Sequence, residues 1–410
     1  MKIGIIGGGA AGIFTAINAK NDNNEVIIFE RNKDCGKKIL TTGNGRCNYW
    51  NEDQSLFHYQ SSSINEIEKL INTTTEEGVL NIFNNLGVIP KIKNGYYYPF
   101  SNQALTIKNV LIKELENKKV IIKNEFFVKN IEKLNNKFIV VSNDERVEVD
   151  KLVLATGSFA APKTGSDGMG YDFLKKLGHT VVEVLPSLVG LNAKGNSFKD
   201  WNGIRTEAKL SLYENNKFIR EEFGEVQLTN YGISGICTFN LSNFVARGLF
   251  DNKKEIIKIN FLPFLEFDND EEYINWFKEQ TKLTNKNIFD MLTSIINEKL
   301  VLIILSKLSI EKNKTFLELS YNEQQMLIKS FIMFTSEIES TKTFNDAQVC
   351  SGGIPLTEIN MDTMESKIVP NLYIVGELLD LTGDCGGYNL GIAWRSGLVA
   401  GTSIKGEQND

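Results

Sequence analysis

The chain has 410 residues and a mass of 46.1 kDa, enough for two or three domains with their own cores. Its 42% hydrophobic and 23% charged residues are ordinary for a globular protein and exclude global disorder. Lys and Arg total 45 against 51 Asp and Glu, and the net charge of −6 argues against a dedicated nucleic-acid coat or a polybasic membrane binder.

The cysteines, Cys35, Cys47, Cys237, Cys350 and Cys385, are odd in number, widely spaced and without a CxxC pair. A disulfide framework or zinc knuckle is not expected, and the thiols fit a reducing cytosol. The only histidines are His58 and His179, so no metal site is expected. No apolar run reaches the roughly 18 residues of a membrane-spanning helix. Residues 1–19 have the charge and apolarity of a signal peptide. Four of the six residues at 7–12 are glycine, however, which suits a phosphate turn better than a signal helix.

In chain order, residues 3–6 predict a short strand, 7–12 a glycine turn, 13–20 a helix and 26–29 a second strand ending at Glu30. That is a βαβ opening of the dinucleotide-binding type. Residues 64–86 and 105–115 carry apolar residues at helical spacing. Residues 120–122, 126–128 and 138–141 predict strands between Asn-rich turns, and 151–155 a buried strand that exits at Thr156-Gly157. From about Leu188 the character changes. Residues 208–213 and 217–220 alternate around Asn215-Asn216, a hairpin signal, and 225–229 and 256–261 add strands. Residues 271–329 are mainly helical, and 331–344 return to an extended pattern. From Gln348 the α/β character resumes, with a strand at 372–375 and a helix rich in small residues at 391–401. The expected division is an α/β domain over 1–188 and 345–410, a β-rich insert over 189–268, a helical subdomain over 269–329 and a return strand over 330–344.

Gly7, Gly9 and Gly12 have the GxGxxG spacing. The first permits a tight turn, the second lets backbone approach pyrophosphate, and the third lets helix pack on strand. Unpaired N–H groups and the helix dipole then favour phosphate. Glu30, 18 residues after Gly12, can accept hydrogen bonds from an adenosine ribose. A second GxGxxG is absent, so one tightly held dinucleotide is the economical reading. Two distant features favour FAD over NAD: the 152–157 strand with its small-residue exit, and the strand at 371–377 followed by a glycine-opened helix at 386–391. An extended FAD needs binding surface well beyond the first βαβ unit. Residues 37–48, KKILTTGNGRCN, place glycines, asparagines, an arginine and a cysteine directly after a basic pair. Glycines permit close approach to a planar ring, and Lys or Arg can neutralise phosphate or flavin charge.

At these motifs the chain resembles the BaiN/YhiN-like bacterial NAD(P)/FAD-dependent oxidoreductases, also described as aminoacetone-oxidase-like flavoproteins. The stretches that carry the resemblance include GGGAAG, GKKILTTGNGRCN, YYPFSNQA, LVLATGS, TGSDGMGYDFLKKLGH, GEVQLTNYGISG and GGYNLGIAWRSGLVAG. The resemblance implies an α/β fold in which a Rossmann-like FAD-binding domain is interrupted by a β-barrel-like insert carrying a helical subdomain. It also implies roles. Gly7, Gly9, Ala10, Ala11 and Gly12 would hold the pyrophosphate, and Glu30 and Arg31 the adenosine end. Lys38, Gly45, Arg46, Cys47 and Asn48 would run along the cofactor. The Val128 backbone would meet adenine, and Ala155, Thr156 and Gly157 would flank the dinucleotide. Gly376, Glu377, Asn389, Leu390, Gly391 and Ile392 would surround the flavin end. The chain departs from the family at Cys350-Ser351 and at Asp384-Cys385.

A helix beginning near Gly391 would aim its N–H groups at the flavin edge that becomes electron-rich on reduction. Cys47, Cys385 and Tyr388 are the catalytic candidates, with packed thiols and a packed ring as the plain alternatives. His179 is expected to cap a helix, and His58 has no assigned role. Trp201, Tyr231 and Trp394 are read as core, with a substrate pocket as the alternative. The function expected is an FAD-dependent oxidoreductase acting on a small organic substrate in the cytoplasm, with NAD(P)H as a transient hydride donor. An RNA-modifying flavoprotein and a flavin-bound electron carrier or sensor remain as alternatives.

Overall fold

The computed structural model describes residues 1–74, 76–195 and 198–406. Contacts divide the chain into two units: Met1–Leu185 with the chain from Ala347 onward, and Pro186–Asp346.

In the first unit, five parallel strands form a sheet in the order Leu372–Ile374, Lys151–Leu154, Lys2–Ile6, Glu25–Phe29, Ile121–Lys123. The opening strand, KIGII, is buried at every position after Lys2. A continuous apolar run of this kind marks a strand covered on both faces. The helix Ala10–Ala19 follows the glycine turn at once and packs along the last helix, Tyr388–Gly406. Small residues set that approach. A Cβ on Gly397 would lie 2.7 Å from the Ala11 carbonyl oxygen, and one on Gly401 2.7 Å from the Asn18 Cβ. Phe14, Phe83 and Trp394 fill the space beside them, with ring centroids 5.2, 5.3 and 5.5 Å apart. Burial of each such ring contributes roughly 2–3 kcal/mol.

Three local expectations change. Residues 126–128 are not a strand. The Phe126 N–H donates to the Glu30 carbonyl at the end of the parallel sheet, and its ring packs on Phe29 at 4.8 Å. Tertiary packing accounts for that apolar stretch, and the next strand begins at Asn130. The helical segment at 64–86 forms two helices, Ile64–Thr73 and Glu76–Asn85. The last helix begins at Tyr388, one turn-fraction earlier than the glycine at 391 suggests, because Gly391 already donates its N–H to Gly387.

In the second unit, six strands close a barrel in the order Leu191–Ala193, Gly232–Ser234, Lys217–Leu228, Arg205–Glu214, Glu255–Asn260, Phe334–Thr341. The hairpin turns at Asn215 and Asn216, both at positive φ (49° and 68°). Consecutive left-handed residues match the twist of a two-residue hairpin, and Asn tolerates that region. The two strands expected at 217–220 and 225–229 are one continuous strand. The helix Ile236–Phe250, opened by Gly235, was not expected within this β-rich region. Helices Asp270–Thr284, Ile288–Thr293, Glu298–Lys307 and Tyr321–Ile332 form the helical part. Asn269 caps the first of these, and Ser320 with Glu323 forms a capping box on the last. Trp201, with Phe198, Phe261 and Phe334 against it, is wholly buried. Among the described residues, no helix is long and apolar enough to cross a membrane.

Candidate functional site

The glycine turn is built by exclusion. Gly7 sits at φ 106°, and a Cβ there would lie 2.4 Å from the Ala155 carbonyl oxygen. A Cβ on Gly12 would lie 2.0 Å from the Gly7 carbonyl oxygen. Gly9 differs: nothing lies within 4 Å of a Cβ built there. It is the N-cap of Ala10–Ala19, at φ −83° and ψ −169°, and no side chain caps that helix end. Uncapped N–H groups beside open space are what a pyrophosphate needs. Ala10 is half-buried at the same end, and Ala11 is buried beneath it, 2.8 Å from the Cβ that Gly376 lacks.

Glu30 lies at the end of its strand and is buried. Its Oε2 accepts the Gly8 N–H at 2.8 Å, and its Oε1 accepts the N–H and the side-chain amide of Asn32, each at 2.7 Å. The carboxylate keeps lone pairs for a ribose hydroxyl. Arg31 points outward instead, paired with Asp167 and stacked 4.8 Å from the Phe127 ring centroid. Val128 is buried in the segment that starts from the Glu30 carbonyl. Ala155 is buried against Gly7, while Thr156 and Gly157 are half-buried at the strand exit, with Gly157 at φ 72°.

The stretch after the basic pair folds into a tight loop. Gly43, Asn44, Gly45 and Cys47 all take positive φ. Lys38 donates to Glu377 Oε2 at 2.6 Å, which ties this loop to the segment after Leu372–Ile374. Asn48 is buried, and its Oδ1 lacks a hydrogen-bond partner. It lies 3.0 Å from the Cβ that Gly387 lacks, so the loop meets the glycines ahead of the last helix. Arg46 does not join this cluster. It is exposed, bonds the Gly43 carbonyl and lies 5.6 Å from the Tyr98 ring centroid. Cys47 is wholly buried, and burial pushes its thiol up to about 12. That environment is the one in which thiols are packed and unreactive.

The last helix presents Tyr388, Asn389 and Leu390 as the residues whose N–H groups lack an intrahelical partner, since Gly391 bonds Gly387 at 2.8 Å. The helix-dipole argument therefore applies one turn-fraction earlier, and Gly391 and Ile392 sit inside the first turn. The Asn389 side chain is spent on the preceding loop, bonding the Gly383 N–H at 2.9 Å and the Gly383 carbonyl at 2.7 Å. Tyr388 is buried, and burial holds its phenol protonated well above the usual range. Its ring stacks on His58 at 4.5 Å. Cys385 is half-buried beside it.

His58 and its partners carry no motif and were not assigned from sequence. His179 does not cap a helix with its side chain; it bridges Glu358 at 2.7 Å and Ser366 at 2.9 Å. Trp394 is buried and donates to the Tyr49 carbonyl. Among the described residues no group of three or more metal-ligating side chains occurs.

The HI0933-like protein Rossmann domain model matches residues 1–403. The chain belongs to that family. It is an enzyme of the oxidoreductase class on a Rossmann-type nucleotide-binding fold. It is 37% identical over 402 residues to the 3-dehydro-bile acid Δ4,6-reductase of Clostridium scindens, covering 98% of both chains. It is 27% identical over 394 residues to the ribosomal RNA dihydrouridine synthase of Escherichia coli, covering 96% of this chain and 95% of that one. Among solved structures, a flavocytochrome c3 fumarate reductase matches with TM-score 0.51 at 13% identity, covering 100% of this chain and 78% of the other, a likeness of fold.

Proposed function

We propose that this HI0933-like chain is an FAD-dependent reductase that saturates a carbon–carbon double bond conjugated to a carbonyl, with NAD(P)H as electron source. The observation that carries this reading is the full-length kinship to two enzymes whose names share one chemistry. One is named for reducing an unsaturated 3-oxo bile acid, the other for converting uridine to dihydrouridine. Both products arise by adding hydrogen across a double bond that a carbonyl activates. The balance is hydride to the β-carbon, a proton to the α-carbon, and NAD(P)⁺ released.

The residues present fit FAD. The open face of Gly9 and the uncapped helix behind it suit the pyrophosphate. The lone pairs of Glu30 suit the ribose. The N–H groups of Tyr388, Asn389 and Leu390 suit the electron-rich edge of the ring. When bound, FAD stores and delivers the hydride. The chain supplies orientation and the proton. Tyr388, an O–H donor in the first turn of the last helix, is the candidate proton donor to the developing enolate, although burial weakens its phenol as an acid.

A small unsaturated ketone is favoured over RNA, because identity is 37% to the bile acid reductase against 27% to the RNA enzyme, and the net charge is −6. Incubation with NADH or NADPH and either a conjugated steroid ketone or unmodified ribosomal RNA, read by mass spectrometry, tests the choice. The expected result is gain of two hydrogens by the ketone. Gain by the RNA alone would transfer the activity to the nucleic acid.

A further inference from the structure

His58 stands between two carboxylates. Its Nδ1 lies 3.0 Å from Asp384 Oδ2 and its Nε2 3.0 Å from Asp53 Oδ2. A neutral imidazole has one N–H, so one ring nitrogen would face a carboxylate as acceptor against acceptor. Only the imidazolium donates to both. The Asp384 side chain is 2% exposed, so it needs a counter-charge, whereas Asp53 is 60% exposed.

Both carboxylates are tied to the glycine loop ahead of the last helix, Asp384 along the chain and Asp53 through Asn51. Asp384 precedes Gly386, and its N–H bonds the His58 carbonyl at 2.9 Å. Asp53 belongs to a turn whose Asn51 donates to the Gly386 carbonyl at 2.9 Å, and Asn51 Oδ1 accepts the Asp53 N–H at 2.9 Å. Gln54 in the same turn accepts from Tyr59 at 2.6 Å and from Arg395 of the last helix at 3.1 Å. The Tyr388 ring stacks on the imidazole, and Phe57 meets it edge-on at 5.3 Å. Gln60 reaches the other Asp384 oxygen at 3.4 Å.

We infer that His58 is a positioning residue: as an imidazolium it ties the Asn51–Asp53 turn to Asp384 and so fixes Gly386, Gly387 and the first turn of the last helix for the cofactor. The inference rests on the FAD reading for its ligand, but the clamp itself involves only this chain. The neighbouring carboxylates raise the His58 pKa above its ordinary value, with the Asp384 bond the largest cause. A raised histidine pKa means that the linkage is complete below the ordinary value near 6.5 and is lost as pH rises through the folded value. On deprotonation the exposed Asp53 arm releases, and the turn holding Gly386 loosens.

The test uses the full chain with ¹⁵N-labelled histidine, and His179 as the internal reference. Both His58 ring nitrogens are expected to be protonated at pH 7; a singly protonated ring there would overturn the inference. Hydrogen exchange of the peptide spanning residues 383–390, corrected for intrinsic rate, is expected to rise roughly fivefold through the His58 titration in the native chain. That step should be absent in His58→Asn and Asp53→Asn. FAD affinity should weaken by roughly the same factor over the same interval, and only in the native chain. A step of equal size in Asp53→Asn would refute the clamp. Failure of the native chain to bind FAD at any pH would instead defeat the cofactor reading, with the clamp still decided by the histidine spectra and the exchange.

Discussion

Lys38 and Glu377, 339 residues apart in the chain, meet at 2.6 Å, and the second Glu377 oxygen accepts the Cys350 N–H at 3.0 Å. One carboxylate thus joins three segments around the candidate cofactor site. Both side chains are about a quarter exposed (25% and 21%), which places the pair between a surface ion pair and a buried one. A double-mutant cycle with Lys38→Met and Glu377→Gln should return a coupling of about 1–2 kcal/mol in thermal or urea unfolding. Strictly additive effects would show that the contact is incidental.

The glycine turn separates fold from ligand. Gly12→Ala forces a methyl against the Gly7 carbonyl and should cost about 2–3 kcal/mol or prevent folding. Gly9→Ala meets open space and an allowed backbone, so unfolding without added nucleotide should change by less than about 0.5 kcal/mol. FAD affinity of Gly9→Ala should nevertheless fall tenfold or more, measured by quenching of flavin fluorescence. Equal FAD affinity in Gly9→Ala and the native chain would move the pyrophosphate elsewhere.

Cys47 falls in the most unusual stretch of the sequence, yet its thiol is buried and protonated. Cys47→Ala should keep kcat within about threefold. Brief treatment with iodoacetamide should label Cys385 first, because the other four cysteines are buried. Mapping the label by mass spectrometry checks both the order and the exposure.

In the second unit, Glu255 is buried with both carboxyl oxygens lacking a hydrogen-bond partner. Burial, and then the nearby Glu214, push its pKa up to about 7. The folded state therefore holds a proton that the unfolded chain gives up near pH 4.5. Its contribution to stability is full below that value and is lost as pH rises through about 7. Glu255→Gln should raise Tm by a few degrees at pH 8 and by much less at pH 5. An equal rise at both values would locate the strain in packing rather than charge.

Much of the fold was legible because its signals are local. The glycine turn, the apolar opening strand and Glu30 lie within one βαβ unit, and each residue type has one physical reason to be there. The helical character of residues 271–329 was legible for the same reason, without the breaks between its four helices or their caps. What the sequence hid is non-local. Phe126 reads as a strand residue, but its burial comes from Phe29. His58 and Asp384 are separated by 326 residues, and no spacing rule links them. The helix at Ile236–Phe250 carries buried residues on most of its surface, so it lacks the one-sided stripe that periodicity detects. Arg46 and Cys47 lie in a conspicuous motif, and the structure gives them local contacts there: Arg46 bonds the Gly43 carbonyl and Cys47 is buried.

The most direct measurement is an anaerobic half-reaction pair on the purified, FAD-loaded chain. NADH or NADPH is added first, then a conjugated steroid ketone, with the visible flavin absorption followed throughout. The account predicts bleaching by one nucleotide, then full recovery of the colour on adding the ketone without oxygen, with one saturated product per FAD. Recovery only when oxygen is admitted would contradict it.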